Sequence, residues 1–188
     1  MPDIVTNLLH LSSEAAEAAD LIEPAMDLVM TATGADAAAI ARAAAPEWSI
    51  VAARGVAATA VPLDLAADSL ERDELLSRQR WQAIPLTVSR GDREEVTEAS
   101  LILLARGNFA PALFAHTARA LADALTIVQK SERTSRRIRR LQTVLDITHE
   151  WHQTNEMETL LVRMAEAATR FFEADRASIF LWDKPNKT

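Results

Sequence analysis

The chain predicts an α+β fold: an antiparallel sheet with helices on one face, followed by a long linker helix. Three features carry this. Residues 110–154 contain no glycine, and their one proline, Pro111, falls in the first turn, where a missing N–H costs nothing. Short apolar runs at 36–42, 48–54, 80–88 and 100–105 are separated by turn residues, the spacing of a meandering sheet. Ahead of them, Leu21, Ala25, Leu28 and Ala32 recur at i, i+4, i+7 and i+11, which gives one apolar helical face. Residues 36–106 are expected to form one mostly antiparallel sheet. Residues 20–33 and the start of the long helix should cover one side of it. The core should then contain Leu28, Val29, Ile40, Ile50, Ile84, Leu86, Leu101, Leu103, Leu121 and Leu125.

Taken in order, Ser12 or Ser13 can cap a helix over the Ala- and Glu-rich run 14–22. Pro24 then kinks that helix or opens a new one, and Gly34 is suited to end it. Runs 36–42 and 48–54 read as a hairpin about Ala45-Pro46-Glu47. Residues 55–61 are loop. Residues 64–78 hold a short helix or two, with Leu65, Leu70 and Leu75 or Leu76 on the apolar side. The strand at 80–88 carries Trp81, Ile84, Leu86 and Val88, and Pro85 requires an edge or a bulge there. A charged turn at 89–97 leads to the compact strand 100–105, which Gly107-Asn108 ends.

Composition narrows the function. The 188 residues are enough for one domain and an appendage, and 49% apolar content is that of a globular chain. No run approaches the roughly 18 apolar residues of a membrane span. The N-terminus lacks a basic, then apolar, signal pattern. There is no cysteine, which removes disulfides, thiol nucleophiles, thioether-linked chromophores and cysteine-held metals, and is compatible with a cytoplasmic protein. The net charge of −7 argues against nucleic acid as a partner of the whole chain. It is unevenly spread. Lys130, Arg133, Arg136, Arg137, Arg139 and Arg140 stand against Glu132 alone, a local +5 that leaves −12 on the remainder. The run lacks interleaved aromatics and reads as a solvated stretch of helix.

The chain also repeats itself. An offset of 139 places residues 21–42 on 160–181 without a gap, matching Leu21 with Leu160, Ala35 with Ala174, Asp36 with Asp175, Ala38 with Ala177 and Ile40 with Ile179. Leu160, Met164, Ala167 and Phe171 repeat the helical face, and Asn155 with Glu158 makes a capping-box start. Here the residues resemble a known family. Leu141-Gln-Thr-Val-Leu-Asp-Ile-Thr, the helix from Glu158, and Glu173-Ala-Asp-Arg-Ala-Ser-Ile-Phe-Leu-Trp-Asp are similar to the opening of a GAF domain. More loosely, Ala83-Ile-Pro-Leu-Thr-Val, Ser100-Leu-Ile-Leu-Leu-Ala and the helix after Phe109 resemble that family's inner strands and closing helix. The resemblance implies a central antiparallel sheet with helices on one side and a ligand pocket on the other. It further implies a regulatory role and a closing helix that runs on toward the next domain. The expected layout is a GAF-like domain over 1–128, a connecting and dimerising helix over 110–154, and the truncated start of a second copy over 155–188.

Departures from the family limit what it can bind. The Asn-Lys, Phe and Asp-Glu pattern of its cyclic-nucleotide binders has no counterpart, and the cysteine of its bilin-binding members is missing. A small-molecule pocket would draw on Trp48, Arg54 and Trp81, two rings for apolar contact and one cation for orientation. Core packing of both tryptophans is the competing reading. No cofactor is expected. Catalytic signals are sparse. In His149-Glu150-Trp151-His152 the histidines stand three apart, not four as a zinc helix requires. The His-Glu step resembles the phospho-acceptor box of sensor histidine kinases, but the arginine and proline that follow there are absent. The four glycines are isolated, so no phosphate loop is present.

The expected function is therefore a non-catalytic sensory or signal-transducing module of a multi-domain protein. The alternative is an architectural dimerisation module that binds nothing and stands before a histidine kinase, phosphatase or transcription-activator output. Ile138, Leu141, Leu145 and Thr148 step 3-4-3, a coiled-coil rhythm, and call for a parallel, two-fold related homodimer. Residues 176–182 look like the first strand of an incomplete sheet, which implies a fragment of a longer protein with its tail covered by a neighbour.

Overall fold

A computed structural model describes residues 3–44, 47–87, 100–152, 157–172 and 175–180. The chain divides into two compact units, Met1–Glu132 and Arg133–Thr188.

The first unit opens with two helices, α1 (Ile4–Glu14) and α2 (Ala18–Thr33). Ser12 and Ser13 do not cap a helix. Their hydroxyls donate back to the carbonyls of Leu9 and His10 inside α1, and α1 is anchored by the fully buried Leu8. The helix start lies instead at Glu17, whose N–H is bonded to Asp20 Oδ2 at 3.1 Å in a capping box built from acids. Pro24 sits inside α2 rather than at its start. It is exposed, as is Asp20, whose carbonyl loses the N–H a proline cannot supply. Gly34 ends α2 in the left-handed conformation, φ 70°, and its N–H bonds Met30 O at 2.8 Å.

Five strands follow: β1 (Ala37–Ala44), β2 (Glu47–Arg54), β3 (Leu76–Arg78), β4 (Trp81–Leu86) and β5 (Ser100–Arg106). They form one antiparallel sheet in the order β2-β1-β5-β4-β3. The β1–β2 hairpin and the strands at 80–88 and 100–105 are thus where the sequence placed them. The turn at 45–46, Val88 and the charged turn at 89–97 lie outside the described residues. A β-bulge shifts the β1–β2 register, so that Ile40 faces Ala52 while Ala41 faces Ile50 and Val51 is the extra residue. β3 reaches only as far as Ala83. Pro85 therefore has β5 on one side and no β3 on the other, so the local edge it needs exists within an inner strand.

Helix α3 (Leu63–Arg72) precedes β3, and α4 (Pro111–His152) follows β5. Two apolar layers result. Ala38, Ile40, Ala52, Leu86, Leu103 and Ala105 face α1, α2 and the start of α4, where Phe114, Leu121, Leu125 and Val128 are fully buried. Ala37, Ala39, Ala41, Ala83, Ile102 and Leu104 face α3 through Leu65 and Ala66. Alanine is a poor strand former in isolation. Here it is selected by burial on both faces, since Ala37 to Ala41 have no solvent exposure.

The second unit contains the continuation of α4 from Arg133 and helix α5 (Met157–Phe172). Residues 176–180 form no strand, and Phe180 is 92% exposed. A single extended segment has no ladder to join unless another strand supplies it, so the strand expected at 176–182 is not formed over these residues. Leu181 and Trp182 lie outside the described residues, as does Asn155 of the expected capping box.

Candidate functional site

The sheet face under α3 is where the resemblance places a ligand. Its floor is mainly alanine and its roof is α3, held through Ser69 of α3 and Arg78 of β3. Ser69, fully buried, donates its hydroxyl toward Glu74 O at 2.6 Å and Ala83 O at 3.1 Å. Arg78 of β3 bridges Asp64 at 2.7 Å and Asp68 at 2.5 Å, one turn apart on α3. The hydrogen bond that Arg78 donates to Asp68 holds the guanidinium above its ordinary range. Ser69→Ala is expected to cost about 1–2 kcal/mol in a urea unfolding series, because a buried carbonyl loses its donor.

The three residues proposed for a pocket are not brought together. Trp48 pairs with Ala43 at one end of the sheet, half-buried against the α3 layer. Trp81 is buried on the same face but at the opposite end, level with Ala37 through Arg106. Six residues along β1 separate the two levels, roughly 20 Å at strand rise. Arg54 belongs to the other face. It is ion-paired with Glu23 and stands 3.6 Å from Asp27, both on α2. A proximity argument from sequence missed the bulge at Val51, which fixes the faces on which residues 52–54 fall.

What the fold does assemble, at the Trp81 end, is a polar clasp around Asp36. Arg106 Nε donates to Asp36 Oδ1 at 2.6 Å and Arg80 Nη2 donates to Oδ2 at 2.9 Å. The Asp36 N–H bonds Arg106 O at 2.9 Å, and the Gly107 N–H bonds Arg80 O at 2.9 Å. The Arg106 guanidinium also lies 5.5 Å from the Trp81 ring centroid, within cation–π range. The clasp therefore ties the start of β1, the β3–β4 turn and the end of β5. Asp36 was visible in the sequence as the residue before the first apolar strand. Its arginine partners lie 44 and 70 positions away and were not.

The Arg106 hydrogen bond, followed by the charges of Arg106 and Arg80, holds the Asp36 carboxyl below the usual carboxylate range. A carboxyl whose folded pKa is depressed stabilises the fold above its unfolded pKa, about 3.9, and loses that contribution as pH falls through the folded value. Urea midpoints of the parent and Asp36→Asn should therefore differ at neutral pH and converge as pH falls through the depressed pKa of Asp36, below the usual carboxylate range. Midpoints that stay equally far apart would remove the clasp's charge from the account.

The second candidate is the helical seam. Ile138, Leu141 and Leu145 are 49%, 56% and 68% exposed. The backbone at Thr148 is helical, and its side chain lies outside the described residues, as do those of His149 and His152. With Ile138 and Leu145 at position a of a heptad, Leu141 and Thr148 take position d. One heptad earlier, Ser131 and Thr134 take the same positions. The apolar seam is thus polar at the level of the basic run. Within that run Lys130/Arg133, Arg133/Arg136, Arg133/Arg137, Arg136/Arg140 and Arg137/Arg140 stand three or four apart. Like charges at that spacing disfavour a helix by about 0.2–0.5 kcal/mol per pair.

Among the described residues no group of three His, Cys, Asp or Glu is placed to hold a metal ion, and no helix is long and apolar enough to cross a membrane. No family model matches the chain, and no curated protein does. Among solved structures, the chain is similar to the GAF domain/HD domain protein from Geobacter sulfurreducens, at 14% identity and a TM-score of 0.44, over 64% of this chain and 97% of that one.

Proposed function

We propose that the chain is a non-catalytic regulatory module of the GAF type, which relays through a parallel dimer of α4 to an output domain. One observation carries this reading. Along the single helix α4, the apolar residues change from fully buried, at Phe114, Leu121, Leu125 and Val128, to exposed, at Ile138, Leu141 and Leu145. The first set serves the domain core. The second has the 3-4 spacing by which helices supercoil, and a second copy of the same helix satisfies it most simply. The antiparallel sheet with α1, α2 and the start of α4 on one face agrees with the layout that the sequence resemblance implies, whereas α3 covers the opposite face, on which no helix was expected.

The architectural reading has its own support. Leu65 and Ala66 of α3 are fully buried against the alanine floor, so this layer is closed by the chain's own side chains. A thermal-shift screen against nucleotides and small metabolites separates the two. A sensory module gives at least one compound whose binding raises the melting midpoint with concentration, because ligand bound to the native state adds to its stability. A flat response across the screen, with the dimer intact, selects the architectural role.

A further inference from the structure

We propose that residues 62–79, α3 together with β3, form a strap that leaves the sheet as one body, and that its release frees the stretch of β4 that holds the start of α4. The inference rests on the relay reading for its purpose alone, since it names an element that moves. The motion itself lies within the first unit and is tested there.

The strap is bound more firmly to itself than to the sheet. Arg78 reaches from β3 to Asp64 and Asp68 of α3 at 2.7 and 2.5 Å. The Asp73 N–H bonds Leu70 O at 3.3 Å, and the Glu74 N–H bonds Ser69 O at 3.2 Å. The ties to the sheet are slighter. β3 has three residues, paired with β4, and lies at the sheet edge. The Ser69 hydroxyl has one hydrogen, shared between Glu74 O at 2.6 Å and Ala83 O of β4 at 3.1 Å. The shorter of these bonds travels with the strap. Leu65 and Ala66 are the apolar residues of α3 that are fully buried, and the floor beneath them is mostly alanine. Small side chains offer little apolar area to hold the strap down.

The pivot is strained. Asp73 and Gln79 have φ 53° and 56°, and they are the two non-glycine residues with positive φ among the described residues. They bracket β3. Aspartate tolerates this backbone, whereas glutamine is strained by it. The next residue, Arg80, is fixed by its bond to Asp36 and by the Gly107 N–H on its carbonyl. Gln79 therefore lies between a fixed residue and a weakly held strand, and its strain is relieved when β3 lets go.

Release reaches α4 through Gln82. Its Nε2 donates to Phe109 O at 3.0 Å, two residues before α4 begins. Gln82 is 8% exposed, and its Oε1 has no hydrogen-bond partner among the described residues. Ser77 of β3 is the residue paired with it across the strands. Paired residues share a face of the sheet, so loss of β3 opens that side of the amide to water. A buried acceptor left unbonded gains from that solvation. The closed strap thus carries two unfavourable features that the open one sheds, the Gln79 backbone and the Gln82 oxygen. The apolar cover and the Arg78 pairs oppose them, which gives the strap two states.

The test is hydrogen exchange of the whole chain, read by mass spectrometry. Amides across 62–79 are expected to lose protection together, about tenfold or more ahead of β1 and β5. Arg78→Gln should lower protection across 62–79 about threefold or more and leave β1 and β5 unchanged. Gln79→Gly should act in the opposite sense and raise it about threefold, because glycine accepts the positive φ without strain. A glycine at a position with ordinary φ loosens the chain, so the sign is diagnostic, and this variant decides the matter even if Arg78→Gln fails to fold. The Leu113 and Phe114 amides of the first turn of α4 should follow the strap in both variants. Different rates for α3 and β3 overturn the proposal, as does a strap that exchanges no earlier than β1 and β5. Lower protection in Gln79→Gly overturns it too. Leu113 and Phe114 amides that stay unmoved while the strap responds overturn its link to α4. A parent that sediments as a monomer while the strap behaves as stated removes the relay and sustains the strap, so the two failures are distinct.

Discussion

Leu141→Asp combined with Leu145→Asp is expected to convert a dimer into a monomer in sedimentation equilibrium at micromolar concentration. The two leucines are 56% and 68% exposed in the single chain, so each has most of its side chain free to be covered by a mate. Burial of a leucine contributes about 1.5–3 kcal/mol, and a two-fold seam buries each residue twice. A dissociation constant weakened by well over a hundredfold follows, since each 1.4 kcal/mol is a factor of ten. Neither residue belongs to the core layers around the sheet. Sheet content by circular dichroism should therefore be unchanged. A parent protein that sediments as a monomer under the same conditions would remove the dimer from the functional proposal, and an unchanged dimer in the double variant would move it off this seam.

The sheet was legible in sequence because its signals are local and mutually consistent. Ile40, Leu103, Leu121 and Leu125 were named as core from periodicity alone and have no solvent exposure. Gly34 could be assigned as a helix end because only its backbone conformation matters there. Helix α1 carries Ile4, Leu8 and Leu11 at i, i+4 and i+7, a stripe too short to stand out in the sequence, and it packs through the fully buried Leu8 with Ile4, Val5 and Leu11 against the same core. β3 was missed for a related reason. Its turn to β4 runs through Gln79, which takes φ 56° without being the Gly or Asn that marks such turns.

Side-chain constellations were less legible than elements. Trp48, Arg54 and Trp81 are the large and charged residues of the strands, and nothing in their spacing says which face each takes. A one-residue bulge at Val51 puts Arg54 beside α2 and leaves Trp48 in the α3 layer. The Asp36 clasp depends on β1 and β5 being neighbours, a long-range pairing that periodicity does not encode. The seam on α4 was the opposite case. It is a property of one continuous helix, on which Ile138, Leu141 and Leu145 are exposed, and their pairing with a second copy is the proposal that the double variant tests.

Gly55→Ala is expected to destabilise the first unit by roughly 2–5 kcal/mol, the sum of a left-handed backbone forced on a residue with a Cβ and an overpacked contact. Gly55 has φ 68°, and a Cβ there would meet the backbone oxygen of Asp36 at 2.2 Å and Ala37 Cα at 3.1 Å. Neither obstacle is a flexible side chain. The start of β1 would have to move, and Asp36 with it, away from Arg106 Nε and Arg80 Nη2. Gly34→Ala supplies the control, because Gly34 has nearly the same φ, 70°, but nothing within 4 Å of the added carbon. That variant should lose only about 1–2 kcal/mol, the cost of the left-handed backbone by itself. The two should also separate in their response to pH. Gly34→Ala leaves the Asp36 clasp in place and keeps its acid sensitivity, while Gly55→Ala pulls the carboxylate out of it and flattens the fall in urea midpoint below the usual carboxylate range. Equal losses in the two variants, with equal pH profiles, would mean that β1 yields freely at Asp36, and the clasp would no longer account for how β1, the β3–β4 turn and β5 are held together.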